Sequence, residues 1–274
     1  MKLTYKNLFS LHNKTAIVTG GLGILGRHFC AGLAECGANV VVVDLDEPQA
    51  KSFANALAKD YHVHCIGIGC DVSSPEQVKD MVKQTKRTFK TIDILLNNAA
   101  SKTKDVTHYF APFEEYSLAD WRKVMSVNID GMFLVAQQVG IEMVKQNQGG
   151  SIIQTSSIYG IVAPDGRIYE GSYYLGTSIN TPAVYSASKA AVWGLTKYLA
   201  TYWAEKGIRV NMLTPGGIES GQNETFKQKY AHRTPLARMG VPEEVVGAVI
   251  YLSSSASSYV TGQNIIVDGG LTTW

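Results

Sequence analysis

The stretch TAIVTGGLGILG, residues 15–26, decides the fold. Its first five residues are apolar or β-branched without a break, as a strand covered on both faces must be. Glycines follow that read as GxxGxxG through Gly20, Gly23 and Gly26, or as GxGxxG through Gly21, Gly23 and Gly26. A helical pattern over 24–36 comes next. Strand, glycine turn and helix in that order set bare backbone at a helix N-terminus, where a pyrophosphate binds. Ile24 and Leu25 stand inside the same turn. The next apolar run, NVVVVD (39–44), closes on Asp44. A carboxylate there accepts from both hydroxyls of an adenosine ribose and repels a 2′-phosphate. Leu45 follows it, where an NADP-binding chain would often carry an arginine, so NAD is expected over NADP. Asp71 and Val72 end the third run, positioned to flank an adenine.

Working outward, further strand candidates are VHCIGI (63–68), IDILLN (92–97), SIIQTS (151–156), IRVNML (208–213) and NIIVD (264–268). Helical patterns lie between them at 48–59, 75–89, 118–146, 182–206 and 242–255. Strands alternating with helices predict an α/β fold, one doubly wound parallel β-sheet of about seven strands with helices on both faces. No repeat or linker interrupts residues 1–274, so a single domain is expected. Long connections at 101–117, 158–181 and 216–241 are its candidate substrate loops. Ligands of an open α/β sheet bind where such loops leave the C-terminal strand ends.

The net charge is +2 and charged residues make up 18% of the chain. With no lysine or arginine run, neither a nucleic acid nor a membrane surface is the expected partner. Cys30, Cys36, Cys65 and Cys70 form no CxxC pair, so no metal site is expected and the thiols read as free in a reducing compartment. No continuous apolar stretch precedes Thr15, and none is expected to reach the ~18 residues a membrane span needs. A cytoplasmic enzyme is the expectation.

The chain resembles the short-chain dehydrogenase/reductase family over nearly all its length. Beyond TGGLGILG the resemblance is carried by DV (71–72), NNAA (97–100), VNIDG (127–131), QTSS (154–157), YSASK (185–189), IRVNMLTPGGIES (208–220) and SYVTGQNIIVDGG (258–270). It implies a Rossmann-type fold and hydride transfer between a nicotinamide and a carbinol or carbonyl carbon. It further implies that Asn98, Ala99 and Ala100 line the cofactor while Asn97 braces the central strands. Pro215, Gly216, Ile218 and Ser220 would receive the nicotinamide end. Two departures stand out: Ile24 occupies a position where the single-domain branch usually has glycine, and Ala100 replaces the glycine of NNAG.

Moving a hydroxyl proton is poor work for tyrosine, whose unperturbed pKa is ~10, unless a positive charge stabilises the phenolate. Four tyrosines fall within residues 167–189, and only Tyr185 has a lysine four positions on, Lys189, inside a helical pattern. That spacing puts both on one helix face. Ser157 ends the fifth strand at the ligand edge, where its hydroxyl would polarise a carbonyl. The family's SS pair favours Ser157 over Ser156. By resemblance Asn128 holds a proton-relaying water, and Lys189 also binds the nicotinamide ribose.

From Ser157 to Tyr185 the interval is about twice the family's usual one, an insertion of roughly fifteen residues. The inserted Tyr169, Tyr173 and Tyr174 either contact substrate or pack the loop or a subunit interface. Arg167, with Lys227, Lys229, His232, Arg233 and Arg238 of the lid-like segment 219–240, would suit an anionic sugar such as a nucleotide-sugar, although surface cations usually face water. One loop of the insertion resembles dehydrogenases of nonulosonate and flagellin-glycan pathways. The leading expectation is an NAD-dependent secondary alcohol/ketone oxidoreductase acting on a polar sugar or nucleotide-sugar. The alternatives are a 3-oxoacyl-thioester reductase and a non-catalytic dinucleotide sensor. Family resemblance implies a homo-oligomer, a tetramer or dimer.

Overall fold

Valine-rich strands too apolar to face water on either side leave a chain one economical arrangement, a sheet buried between two helix layers. A computed structural model describes residues 5–101, 106–174 and 176–274. In chain order the strands are β1 Thr15–Thr19, β2 Asn39–Asp44, β3 Cys65–Gly69, β4 Ile94–Asn97, β5 Gly150–Thr155, β6 Tyr173–Tyr174, β7 Thr177–Ser178, β8 Ile208–Pro215 and β9 Asn264–Val267. Seven of them form one parallel sheet in the order β3-β2-β1-β4-β5-β8-β9. The remaining pair, β6 and β7, is a small antiparallel hairpin inside the insertion.

The helices are α1 Ile24–Glu35, α2 Glu47–Tyr61, α3 Pro75–Phe89, α4 Val106–Tyr109, α5 Leu118–Met125, α6 Met132–Gln146, α7 Ala183–Tyr202, α8 Glu224–Arg233 and α9 Glu243–Ser253. Alternation along β2 shows how they divide. Val41 and Val43 join one core with residues of α3, α6 and α7, while Val40 and Val42 join another with α1, α2 and α9. The expected doubly wound sheet is therefore what forms, and its strands agree with the sequence reading to within two residues or so.

Three features depart from that reading. The helix expected over 118–146 is interrupted by one π-helical turn, Ser126–Gly131, between α5 and α6. Such a turn widens the backbone locally and often marks a functional site. The connection 216–241 contains α8, and the insertion contains the β6–β7 hairpin. The expectation of no stretch long and apolar enough to span a membrane is also corrected, because Leu118–Gln146 passes by length and composition. Its Val124, Met132, Val135, Val139 and Met143 are buried against the protein's own core, which accounts for its hydropathy.

The cysteines are free thiols. Burial pushes the Cys70 thiol up to about 12 and that of Cys30 higher still, which keeps both protonated and unreactive.

Close backbone approach sets the geometry of the β3 edge. A Cβ on Gly67 would lie 2.2 Å from backbone atoms of Ala50 and Lys51 in α2. Gly67→Ala must push α2 off the sheet, at a cost of about 2 kcal/mol. A fall of ~5 °C in the thermal unfolding midpoint is expected, and an unchanged midpoint would contradict this packing.

Candidate active site

The glycine turn reaches α1 by folding back on itself. Gly20 adopts φ +63, and Gly23 donates its N–H to the Gly20 carbonyl at 3.1 Å. Gly23 is the N-cap of α1 and no side chain caps that end. The first turn of α1 therefore offers backbone N–H groups with no helical partner, facing a cleft of about 520 Å³. A Cβ on Gly26 would stand 2.0 Å from the Gly20 carbonyl oxygen, so the helix can approach the turn only because that side chain is missing.

Eleven residues singled out from sequence line this one cleft: Gly20, Gly23, Ile24, Leu25, Gly26, Asp44, Asp71, Val72, Asn98, Ala99 and Ala100. Asp44 accepts from Leu22 N at 2.9 Å and from Leu45 N at 2.8 Å, which locks the carboxylate at the rim. Asp71 accepts from the backbone and hydroxyl of Ser73. The opposite wall rests on Thr19, a residue the sequence reading left unassigned. Its hydroxyl accepts from Asn98 N at 2.9 Å and Ala99 N at 3.0 Å and donates to Asn97 Oδ1. Its place as the last residue of β1, directly before the glycines, was the available signal.

A second hollow of about 250 Å³ continues from the first through Ile24, Leu25, Asn98 and Ala100. Pro215, Gly216, Ile218 and Ser220 line it with Ser157, Tyr185 and Lys189. A larger hollow, of about 660 Å³, opens at the N-terminal strand ends around Lys14, Asp93 and Arg209, far from all these groups. The chemistry-bearing residues gather at the C-terminal edge, and we locate the site there.

Tyr185 and Lys189 stand one turn apart on α7. Burial raises the Tyr185 hydroxyl above the ordinary phenol value, and the neighbouring Ser157 hydroxyl lowers it by less. Lys189 Nζ lies 5.9 Å from the Tyr185 ring centre and donates to the Thr155 carbonyl at 3.0 Å. Burial lowers the ammonium to about 8. Ser156 is otherwise engaged: its hydroxyl donates to the Lys189 carbonyl at 2.8 Å, leaving Ser157 to meet the tyrosine. Gly160 permits this meeting, because a Cβ there would fall 2.6 Å from the Lys189 backbone.

Asn128 sits in the π-turn, fully buried behind these groups. Its Oδ1 accepts from Ser101 N and its Nδ2 donates to Ser188 Oγ, which donates in turn to the Tyr185 carbonyl. The π-turn thus braces the helical turn that carries Tyr185.

A third hollow, of about 270 Å³, opens from Ser157 and Tyr185 between the insertion and α8. Tyr169, Phe226 and Tyr230 share a small core there, with Tyr169 stacked on Phe226 at 5.8 Å. Tyr169 also hydrogen-bonds Tyr159 and Thr181, so it both packs the loop and lines the pocket. Tyr173 lines the pocket and is exposed, and the Tyr174 side chain lies outside the described residues. Of the basic residues expected to await an anion, all but His232 are in ion pairs. Arg167 and Arg233 pair with Asp165, Lys227 with Glu219, Lys229 with Glu170 and Arg238 with Glu244.

A sheet with its phosphate turn at a winding reversal and a Ser–Tyr–Lys cluster beside it defines a dinucleotide-linked oxidoreductase class. A family model described as enoyl-(acyl carrier protein) reductase matches residues 23–272. A sorbose reductase of Candida albicans is 35% identical, over 97% of this chain and 89% of its own. A gluconate 5-dehydrogenase from Burkholderia cenocepacia, crystallised with NADP and tartrate, is 33% identical with TM-score 0.86 over 98% of both chains. A short-chain dehydrogenase from Leptospira borgpetersenii with bound NAD+ is 34% identical with TM-score 0.84, covering 99% of this chain and 97% of that one. The chain belongs to the short-chain dehydrogenase/reductase family, in its single-domain branch.

The bare cradle, with its uncapped helix end and rim carboxylate, fits a nicotinamide dinucleotide. Because a methyl on Gly26 would drive into the turn, Gly26→Ala is expected to weaken NADH binding at least ~10-fold, or about 1.4 kcal/mol. Fluorescence titration measures this, and unaltered affinity would detach the turn from the binding site.

Proposed function

We propose that the protein is an NAD(H)-dependent oxidoreductase that interconverts a secondary alcohol and a ketone on a sugar-type substrate. The observation that carries this reading is the meeting of the Ser157 and Tyr185 hydroxyls beside Lys189, where the dinucleotide cleft runs into the third hollow. A bound nicotinamide would accept or deliver the hydride. The remaining work falls to this chain's side chains.

Ser157 holds the substrate oxygen and Tyr185 exchanges its proton. Lys189, still mostly protonated at neutral pH, favours the phenolate by its charge and receives the nicotinamide ribose. Asn128 braces this helical turn and stands where a water could connect Lys189 to solvent. Pro215, Gly216, Ile218 and Ser220 hold the nicotinamide end. Asp44 is the basis for preferring NAD, since a 2′-phosphate would lie against a fixed carboxylate that Leu45, rather than an arginine, follows.

The direction of the Tyr185 shift sets the pH dependence. A raised phenol pKa keeps the proton in place across neutral pH, so ketone reduction has its donor ready. Alcohol oxidation needs the phenolate, and its rate is expected to climb from pH ~7 to ~9 while the reductive rate stays nearly level. Tyr185→Phe should lower kcat ~100-fold or more and abolish both limbs, with NADH binding nearly unchanged. Steady-state rates across pH test this, and robust turnover by the phenylalanine variant would overturn the assignment.

Asp44→Ala is expected to raise the Kd for NADH ~10-fold and to narrow the preference over NADPH. Parallel titrations with the two cofactors decide it. An unchanged preference would remove the carboxylate from the account.

A further inference from the structure

The third hollow carries a second message in what its walls lack. Among the described residues its lining includes no Asp, Glu, Lys, Arg or His. Its polar groups are hydroxyls and amides, with Asn180, Thr181 and Gln222 beside the tyrosines. Tyr159, Tyr169 and Thr181 form a chain of hydroxyls along one wall.

Among the described residues, the arginines and lysines of the insertion and α8 are each held against a carboxylate. Asp165 engages Arg167 through Nε at 2.9 Å and through a terminal nitrogen at 2.8 Å, and it meets Arg233 at 3.3 Å from the other side. Lys229 is held further by the Arg167 and Glu170 carbonyls. These contacts tie the insertion to α8 and hold its three cations against the carboxylates of Asp165 and Glu170.

A carboxylate or phosphate entering such a pocket would give up water for walls with no opposing charge, which is strongly unfavourable. A polyol would exchange hydrogen bonds with water for hydrogen bonds with hydroxyls and amides, and could set its C–H edges on the tyrosine rings. Size points the same way. A hollow of about 270 Å³ lies below the ~300–1,000 Å³ of pockets that take drug-sized ligands, and a nucleotide-linked sugar is at least that large.

Resting on the oxidoreductase reading above, we infer that the substrate is a small uncharged polyol or its ketose, and that the pocket discriminates against carboxylated, phosphorylated and nucleotide-linked sugars. The oxidation is balanced within the proposed activity. The carbinol C–H leaves as hydride to NAD+, the O–H proton goes to Tyr185, and a carbon–oxygen double bond forms.

The experiment compares kcat/KM for NAD+ reduction with galactitol, threitol and sorbitol against gluconate, sorbitol 6-phosphate and a nucleotide-sugar. At least one uncharged polyol is expected to exceed every charged compound by ~100-fold or more. Equal or better turnover of a charged compound would overturn this inference while leaving the oxidoreductase reading intact. No turnover of any compound, in either direction, would remove that reading and this inference with it. The charge argument is tested separately by Tyr173→Arg, which sets a cation on an exposed pocket residue. It should shift the gluconate-to-polyol ratio at least ~10-fold toward gluconate, and an unchanged ratio would overturn the electrostatic basis of the selection.

Discussion

Thr19 ends β1 at the point where the winding of the sheet reverses, and its hydroxyl joins that strand to the end of β4. It accepts from the Asn98 and Ala99 amides and donates to Asn97 Oδ1, while Asn97 Nδ2 donates to the Met132 carbonyl at the start of α6. A buried donor left unpaired costs about 1–3 kcal/mol. One side chain therefore holds several otherwise orphaned groups at the place where β1 and β4 send their helices to opposite faces. The glycine turn on one bank of the cleft and NNAA on the other keep their spacing through it. A Cβ on Gly20 would stand only 3.0 Å from Ala99 Cα, a measure of how closely the banks approach.

The reacting groups depend on that frame at one remove. Helix α7 carries Tyr185 and Lys189, and the π-turn at Asn128 braces it on one side. The loop after β5 braces it on the other, through the Ser156–Lys189 hydrogen bond and the close approach of Gly160. The insertion and α8 then close the substrate side by sharing an aromatic core and a set of ion pairs. Exposed ion pairs add little stability singly. Here their effect is on chemistry, because they hold the neighbouring arginines and lysines against carboxylates rather than leaving them to an entering anion.

Much of this was legible in the sequence where the relevant contacts are short in range. The β-branched runs, the glycine turn, Asp44 at a strand end and the Tyr185–Lys189 spacing all follow from periodicities of two or 3.6 residues. The π-turn was not legible, since VNIDG continues a helical pattern and only packing of Asn128 and Gly131 against distant segments widens it. The β6–β7 hairpin escaped for a similar reason: two-residue strands carry no periodic signal. Nor could the segment 216–241 reveal α8 clearly, because that helix is largely polar and is held by Phe226 and Tyr230 against the insertion.

By itself, the order of residues determined the doubly wound sheet, the glycine turn, the carboxylate at the end of β2 and the one-turn spacing of Tyr185 and Lys189, because each rests on local spacing or on the free energy of burying apolar runs. The family resemblance favoured Ser157 of the serine pair, and only the tertiary structure supplied the reason, since the pleated backbone sends Ser156 to the Lys189 carbonyl and Ser157 toward Tyr185. It likewise decided the charge of the substrate pocket. Arg167, Lys229 and Arg233 read from sequence as an invitation to an anion, and Asp165 and Glu170, brought beside them by the fold, answer two of those three charges and hold all three side chains in the join.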